Sequence, residues 1–555
     1  MRLLSIFSFL LIFSFSIFGQ SKEAGLNAIT ETTVKAQLDF LASDWMEGRE
    51  TGTRGAYMAA DYITSLFKIY GLQPAGDIKT ITPSWREMRA GAHPQEIETY
   101  FQNFSLLEYD AGEEQLLSIT SKNNGVDEKI NFRYKTDFDV RPSSIGMEAE
   151  APVVFVGYGY KNEEHGYNDY KNVDVKGKIV LRLAGYPGHQ DTSSKGYDLF
   201  DPKSRWGRWI IARDKNNFAE EAGAIAVLEV DLNKDNAIDW ASNYPFRYNT
   251  DYYEGTERIS SGIRKRMTVP GDSLSSSLTV FTITQRVANL LLKESKIDLN
   301  EFEIKTASNL KPSSKNLNTK TVHIKTTVES NIVRARNVLA KIEGENPNEI
   351  IVVGAHYDHV GMNMDYIWNG ADDNASGTVG MMTLAKAFAE SGVKPKRTII
   401  FAGWTGEEKG LLGSKYFADN FIKDNDDQKI VLNLNYDMIS RDDDDDSLGV
   451  KCRMTYTEID TTAPLKILAE KINDELDLGL EISFNGSKQP GGGSDHSSFS
   501  SHGIPVFYFM AGFPPEYHRP ADHSDLANIE KMTKIIKLGY KMIAEFAYST
   551  DPINP

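Results

Sequence analysis

The sequence predicts an α/β fold: a doubly wound, mostly parallel mixed sheet with a smaller, β-rich α/β module inserted into it. Three observations carry that expectation. From about residue 331 onward, strand-like and helix-like segments alternate, as they do where helical crossovers join parallel strands. Between about residues 141 and 315 the texture changes to short, β-branched strands bounded by glycines and separated by long polar loops. In the last third, histidines and carboxylates recur just after successive apolar strands, where open α/β sheets collect ligands.

The elements follow in order. "MRLLSIFSFLLIFSFSIFGQSKE" has one arginine, an apolar run from Leu3 to Phe18, the small Gly19 and then a polar stretch. This is the form of a secretory signal peptide over residues 1–19. The run is short for a span of about 20 residues and has no cysteine for a lipid. The expectation is cleavage near Gly19 or Gln20 and export, periplasmic or secreted, with no membrane span afterwards. "TVKAQLDFLASDWMEGRETGTRGAYMAADYITSLFKIYGLQPAGD" predicts two helices around a turn, with Ala59, Ile63, Leu66 and Phe67 at helical spacing and Gly71 as a stop. "YFQNFSLLEY" and "EQLLSITS" predict strands. Residues 20–140 are thus the first part of the main domain.

The inserted module, approximately residues 141–315, contains the strands "APVVFVGYGY" and "GKIVLRLAGYPG", then "NNFAEEAGAIAVLEV", a helix followed by a strand. The final part, residues 316–555, predicts strands at "NVLAKIEG", "EIIVVGAHYD", "RTIIFAGWT", "KIVLNLNYDM" and "IPVFYFMAG". Its helices are "GTVGMMTLAKAFAES", "LGSKYFADNF", "APLKILAEKINDEL" and "IEKMTKIIKLGYKMIAEFAYS". With 555 residues the chain is long enough for two or three domains. A formal net charge of −17 argues against nucleic acid or an anionic membrane surface as partner. The lone Cys452 allows no intramolecular disulfide, so stability must come from the core and from bound metal. A single thiol is more often packed than reactive.

Chemistry concentrates after the strands. "EIIVVGA" ends in His356-Tyr357-Asp358-His359, "RTIIFAGWT" in Gly406-Glu407-Glu408 and "KIVLNLNY" in Asp437. Asp372 and Asp373 precede a helix, and "EYHRPADHSD" carries His518, Asp522 and His523. Each alone reads as a turn, a cap or a solvated loop. Together, imidazoles and carboxylates at one end of a sheet suit zinc, with other divalent metals open. Adjacent Glu407 and Glu408 point apart, so one can bind metal while the other takes a proton from water. A bound metal makes hydroxide available near neutral pH, which is the logic of a hydrolase.

The series "GAHYDHVG", "NGADDNASG", "GEEKGLLGS", "NYDM" and "YHRPADHSD" resembles metallopeptidase family 28, the co-catalytic di-zinc aminopeptidases and their carboxypeptidase relatives, across residues 331–546. "LASDWMEGRETGTRG" is similar to the opening of many members. "VFVGYGY", "YKNVDVKGKIVLRL" and "AEEAGAIAVLEV" resemble the protease-associated (PA) domain often inserted in these enzymes. The resemblance implies a sheet of the zinc-exopeptidase type and two Zn²⁺ per chain. It makes His356 and Asp437 ligands of one zinc, Glu408 and His518 ligands of the other, and Asp373 rather than Asp372 the bridge. It makes Glu407 the general base and Asp358 the carboxylate that orients His356; Asp522 would support His518 or cap a helix. Three carboxylates and one hydroxide would offset the charge of two zincs, leaving a near-neutral cluster.

The implied activity is that of an exported aminopeptidase. A water bridging the zincs attacks the carbonyl of the N-terminal peptide bond, with the PA module capping or shaping access. Carboxypeptidase action, for which Arg519 would bind the substrate carboxylate, and glutaminyl cyclase action are alternatives on the same fold. A non-enzymatic receptor-like module would be expected to lack ligands or base. The partners are peptides; oligomeric state is open. Ser494-Asp495-His496 lacks the G-x-S-x-G elbow of a serine hydrolase. His496 and Tyr508 are candidates for substrate contact, with structural roles the bland alternative. His359 and His523 fall outside the family pattern and are expected not to be ligands. The run Asp442 to Asp446 lacks EF-hand spacing and is expected to be a solvated loop.

Overall fold

The computed structural model describes residues 21–553, except 124–125, 142, 204–206, 233–265, 272–277, 364, 426, 444 and 460–463. The expected signal segment, 1–19, lies outside the described residues. Among the described residues two compact units form: residues 21–104 with 335–553, and residues 105–334.

In the first unit the sheet order is Glu481–Ser487, Lys451–Thr457, Val506–Met510, Lys429–Tyr436, Asn346–His356, Arg397–Trp404 and then the end of Lys315–Ile342. The strands at Val506, Lys429, Asn346 and Arg397 are mutually parallel. Antiparallel partners flank them: Lys451–Thr457 on one side and Val338 to Ile342 on the other. Helices cover both faces, as the alternation of apolar residues requires. Ile351, Val353, Ala355, Ile399, Phe401, Leu432 and Leu434 face a core shared with the helices Arg54–Ile69, Gly377–Ser391 and Ile529–Ala547. Ile350, Val352, Ile400, Ala402, Trp404 and Ile430 face the opposite core, with Phe417 and Phe499. Strands buried on both faces read as continuous apolar runs, which is how "EIIVVGA" and "RTIIFAGW" stand in the sequence.

Register aligns the strand ends that carry chemistry. His356 lies opposite Trp404, and Gly354 opposite Asn435. The residues after each strand, His356 to His359, Glu407 with Glu408, and Asp437, therefore emerge at one edge. The helix Gly377–Ser391 is buried along most of its length because it lies against the centre of the sheet, and it ends at Gly392, whose φ of 63° suits a left-handed stop.

The second unit has a parallel centre of Met147–Phe155, Ile179–Leu183, Ala226–Val230 and Val280–Ile283. Its limits differ from the 141–315 expected. Phe138–Arg141 pairs with Val280–Ile283, and Val126–Asn131 pairs with Ser118 to Asn123, so residues from 105 onward already belong to this unit. At the other end Thr321 to Thr326 pairs with Met147 to Pro152. These long strands extend past the change in composition that suggested the boundaries. "YFQNFSLLEY" and "EQLLSITS" are one continuous strand, Phe101–Asn123.

Packing is close where Gly354 meets Trp404. A Cβ at Gly354 would lie 2.4 Å from Trp404 Nε1, and the fully buried indole is backed by Phe417 and Phe499. Gly354→Ala is expected to destabilise the protein by about 1–3 kcal/mol, the usual cost of overpacking, read as a lower midpoint in urea unfolding.

Candidate metal centre

Five segments converge at the sheet edge. The strand Asn346–His356 delivers His356, and the chain then turns so that His359 follows three residues later. The segment Ala371 to Ser376 delivers Asp373 at the start of the helix Gly377–Ser391. Glu407 and Glu408 follow Arg397–Trp404, and Asp437 follows Lys429–Tyr436. His518 arrives from a turn at φ 56°.

The carboxylate of Asp373 faces two ways. Its Oδ1 is 3.6 Å from His356 Nε2, while its Oδ2 is 2.8 Å from His518 Nε2. His356 Nε2 is also 3.3 Å from Asp437 Oδ1. On the other side Glu408 Oε1 is 3.0 Å from His518 Nε2 and 2.9 Å from His359 Nδ1. Two donor groups result, one of His356, Asp373 and Asp437, the other of His359, Asp373, Glu408 and His518. Within each, one atom from every residue falls inside 4.8 Å of the others. Glu407 Oε2 is 3.9 Å from His356 Nε2, beside the first group.

The donor chemistry fits divalent cations. Asp358, Asp373, Glu407, Glu408, Asp437 and Asp495 are gathered at this edge, and all but the two glutamates are buried. Burial, and then the neighbouring Glu408, push Asp373 above the ordinary carboxylate range. Burial likewise holds Glu407 well above it, with His356 pulling the other way. Such shifts measure negative charge removed from water without a countercharge, and bound cations relieve them. The nearest guanidinium, Arg49, is fully buried and already committed. It donates to the carbonyls of Leu41, Tyr357, Asn369 and Gly370. Neither ring nitrogen of the buried His359 makes a hydrogen bond of ordinary geometry, and burial pushes that imidazole down to about 3, so it is a neutral donor. Two His-and-carboxylate groups sharing one aspartate suit zinc.

A network of fixed contacts holds the loops. Asp522 accepts from the N–H groups of Asp372 and Asp373 at 3.1–3.2 Å, so its role is to clamp that backbone rather than to cap a helix. Asp372 accepts from the Ser440 N–H and hydroxyl, both at 2.8 Å. Asn374 Nδ2 donates to the Tyr436 carbonyl, and its Oδ1 accepts from Met438 N–H, tying the Asp373 loop to the Asp437 loop. The Asp358 carboxylate accepts from Glu407 N–H and from Thr51. It is the backbone carbonyl of Asp358, 3.1 Å from Nδ1, that lies against the His356 ring; the carboxylate stands at 3.8 Å. The orienting group expected at this residue is therefore main-chain.

His496 and Tyr508 are both buried and stack at 4.6 Å and 14°. Burial brings His496 down to about 4. His523 lies 3.2 Å from the Asn369 side chain through Nδ1 and belongs to neither donor group. His359, set aside on sequence, does. Its only sequence signal is the three-residue interval from His356. Arg49, Thr51, Asn374 and Ser440 were likewise not anticipated as supports; Arg49 and Thr51 lie in the "EGRETG" stretch and Asn374 in "ADDNASG". Asp446 is not in a solvated loop: it is buried and pairs with Lys531 at 3.0 Å. Cys452 is packed in the core, its thiol pushed up to about 12 by burial.

Residues 337–542 match the model of peptidase family M28. Leucine aminopeptidase 2 of Trichophyton equinum is 32% identical over 179 residues, 32% of this chain and 33% of that protein. Leupeptin-inactivating enzyme 1 of Streptomyces exfoliatus is 30% identical over 176 residues, 32% of this chain and 36% of that protein. The chain thus spans about a third of the length of these curated relatives. Among solved structures, an aminopeptidase from Aneurinibacillus sp. strain AM-1 aligns with a TM-score of 0.52 at 20% identity, over 96% of this chain and 98% of that one, a likeness of fold.

The two adjacent aspartates should separate cleanly. Asp373→Asn is expected to lose at least one equivalent of bound metal, counted by plasma mass spectrometry. Asp372→Asn keeps an acceptor for Ser440 and should retain metal. Burial, then Asp522, raise Asp372, so the stability it contributes in metal-free protein is present at low pH and lost as pH rises through its raised pKa. An asparagine has no such loss. The melting temperature of metal-free Asp372→Asn relative to wild type should therefore rise between about pH 4 and pH 7.

Proposed function

We propose, from the match of residues 337–542 to the model of peptidase family M28, that the protein is an exported aminopeptidase dependent on two zinc ions, acting on peptides. The observation that carries this reading is the two-way carboxylate of Asp373, with His356 and Asp437 on one side and His518 and Glu408 on the other. His356, Asp373 and Asp437 would hold one zinc, and Asp373, Glu408 and His518 the second. Such a pair supplies an acidified water and polarises the scissile carbonyl.

The chain's own residues do the rest. Glu407 stands beside the His356 group with its backbone N–H fixed by Asp358. It takes the proton from the attacking water and hands it to the departing amine. Met438, Tyr508 and Met510 form a small apolar cluster with Phe513 and Tyr517, next in sequence to Asp437 and His518. That apolar packing beside the site supports preference for an apolar N-terminal side chain such as leucine. Residues 1–19 are read as the export signal, and the inserted unit as a PA-type domain on its sequence texture.

The reading is tested with Glu407→Gln. The variant should keep the wild-type metal content and lose about 10²–10⁴-fold in kcat on leucyl substrates. Wild type should cleave peptides with a free N-terminus and leave their N-acetylated forms intact. Cleavage confined to blocked peptides would sink the aminopeptidase assignment, and an active Glu407→Gln would remove Glu407 as base.

A further inference from the structure

The two donor groups are unequal, and the difference is one residue. His356, Asp373 and Asp437 make three donors; Asp373, Glu408 and His518 are joined by His359 to make four. We propose that His359 is a direct metal ligand, closing the Glu408/His518 site with a fourth protein donor while the His356/Asp437 site keeps an open position. This rests on the two-zinc reading above.

Three observations support it. His359 Nδ1 lies 2.9 Å from Glu408 Oε1 and 3.7 Å from Asp373 Oδ2, so that nitrogen borders the space that those two carboxylates and His518 enclose. The ring is fully buried, and beyond the close Glu408 carboxylate neither nitrogen meets a partner with hydrogen-bond geometry; buried polar atoms left so are rare unless something else binds them. The ring is also held in place. Its backbone N–H donates to the Arg49 carbonyl at 3.2 Å. The ring lies against Gly370, where a Cβ would come within 2.5 Å of ring carbons, and it meets His518 edge-on at 5.5 Å and 68°. The Gly370 backbone and the Arg49 carbonyl thus hold the imidazole with Nδ1 on the Glu408 side.

The consequence is a division of labour by donor number. Zinc sites filled by four protein donors are structural in character, whereas three-donor sites keep a position for water or substrate. The Glu408/His518 site should therefore hold its ion more tightly, and exchange should occur first at the His356/Asp437 site.

The alternative is that His359 only hydrogen-bonds Glu408 and touches no metal. Zinc K-edge absorption of the fully loaded wild type separates the two. The expected spectrum contains three imidazoles shared by two zincs, from His356, His359 and His518. His359→Gln retains a donor for Glu408 but no imidazole, and should show two. In competition with a chelator of graded strength, this variant should also bind one of its two ions at least about tenfold more weakly. Two zincs sharing only two imidazoles in wild type would overturn the proposal while leaving the zinc reading intact, even if the variant failed to fold. A wild type that bound no zinc would overturn both.

Discussion

Negative charge buried at the carboxyl edge of the sheet is the constraint on which the rest of the structure turns. Asp373, Asp358, Asp437 and Asp495 are all nearly or fully removed from water, with Glu407 and Glu408 beside them. Two like charges 4 Å apart repel by about 4 kcal/mol even at an effective dielectric of 20. Arg49, the nearest guanidinium, spends its donors on main-chain carbonyls. A cluster of this kind favours bound cations, and Asp373 turns one oxygen toward each donor group.

Everything around Asp373 serves to fix that carboxylate. Asp522 grips the N–H groups on either side of the Asp372–Asp373 peptide. Asp372 and Asn374 each reach across to the loop after Lys429–Tyr436, through Ser440 and through Tyr436 and Met438. Arg49 binds the carbonyls of Tyr357, Asn369 and Gly370, joining the His356–His359 turn to the approach of Asp373. Thr51 and Glu407 N–H share the Asp358 carboxylate. The segment around residues 49–51, more than 300 positions away in sequence, is therefore part of the centre's foundation.

The parallel core and the ends of its strands were legible in the sequence because both are written in side chains. "EIIVVGA" and "RTIIFAGW" are apolar on both faces, and the helix predicted as "GTVGMMTLAKAFAES" is the helix Gly377–Ser391. The strands Lys451–Thr457 and Glu481–Ser487 were not anticipated. "KCRMTYT" and "EISFNGS" lie toward the edge, alternate buried and exposed residues, and carry charge and glycine. The limits of the inserted unit were missed because long strands such as Lys315–Ile342 run on past the change in composition. At the centre, Asp373 was distinguished from Asp372 by motif position. The supports of that loop stayed hidden because most of their partners are main-chain atoms, which no motif displays.

His359 is the instructive case. Within "HYDH" the chain leaves its strand and turns, so residues three apart face different donor groups. His356 turns to Asp437, and His359 to Glu408. Asp358 between them faces neither metal group but holds Glu407 and Thr51. One short turn thus sets the position of a histidine on each side and, through Asp358, of Glu407 between them. A change in its backbone would disturb both groups at once. That coupling explains why so many contacts from distant segments, Arg49 above all, converge on this turn rather than on the metal-facing side chains themselves.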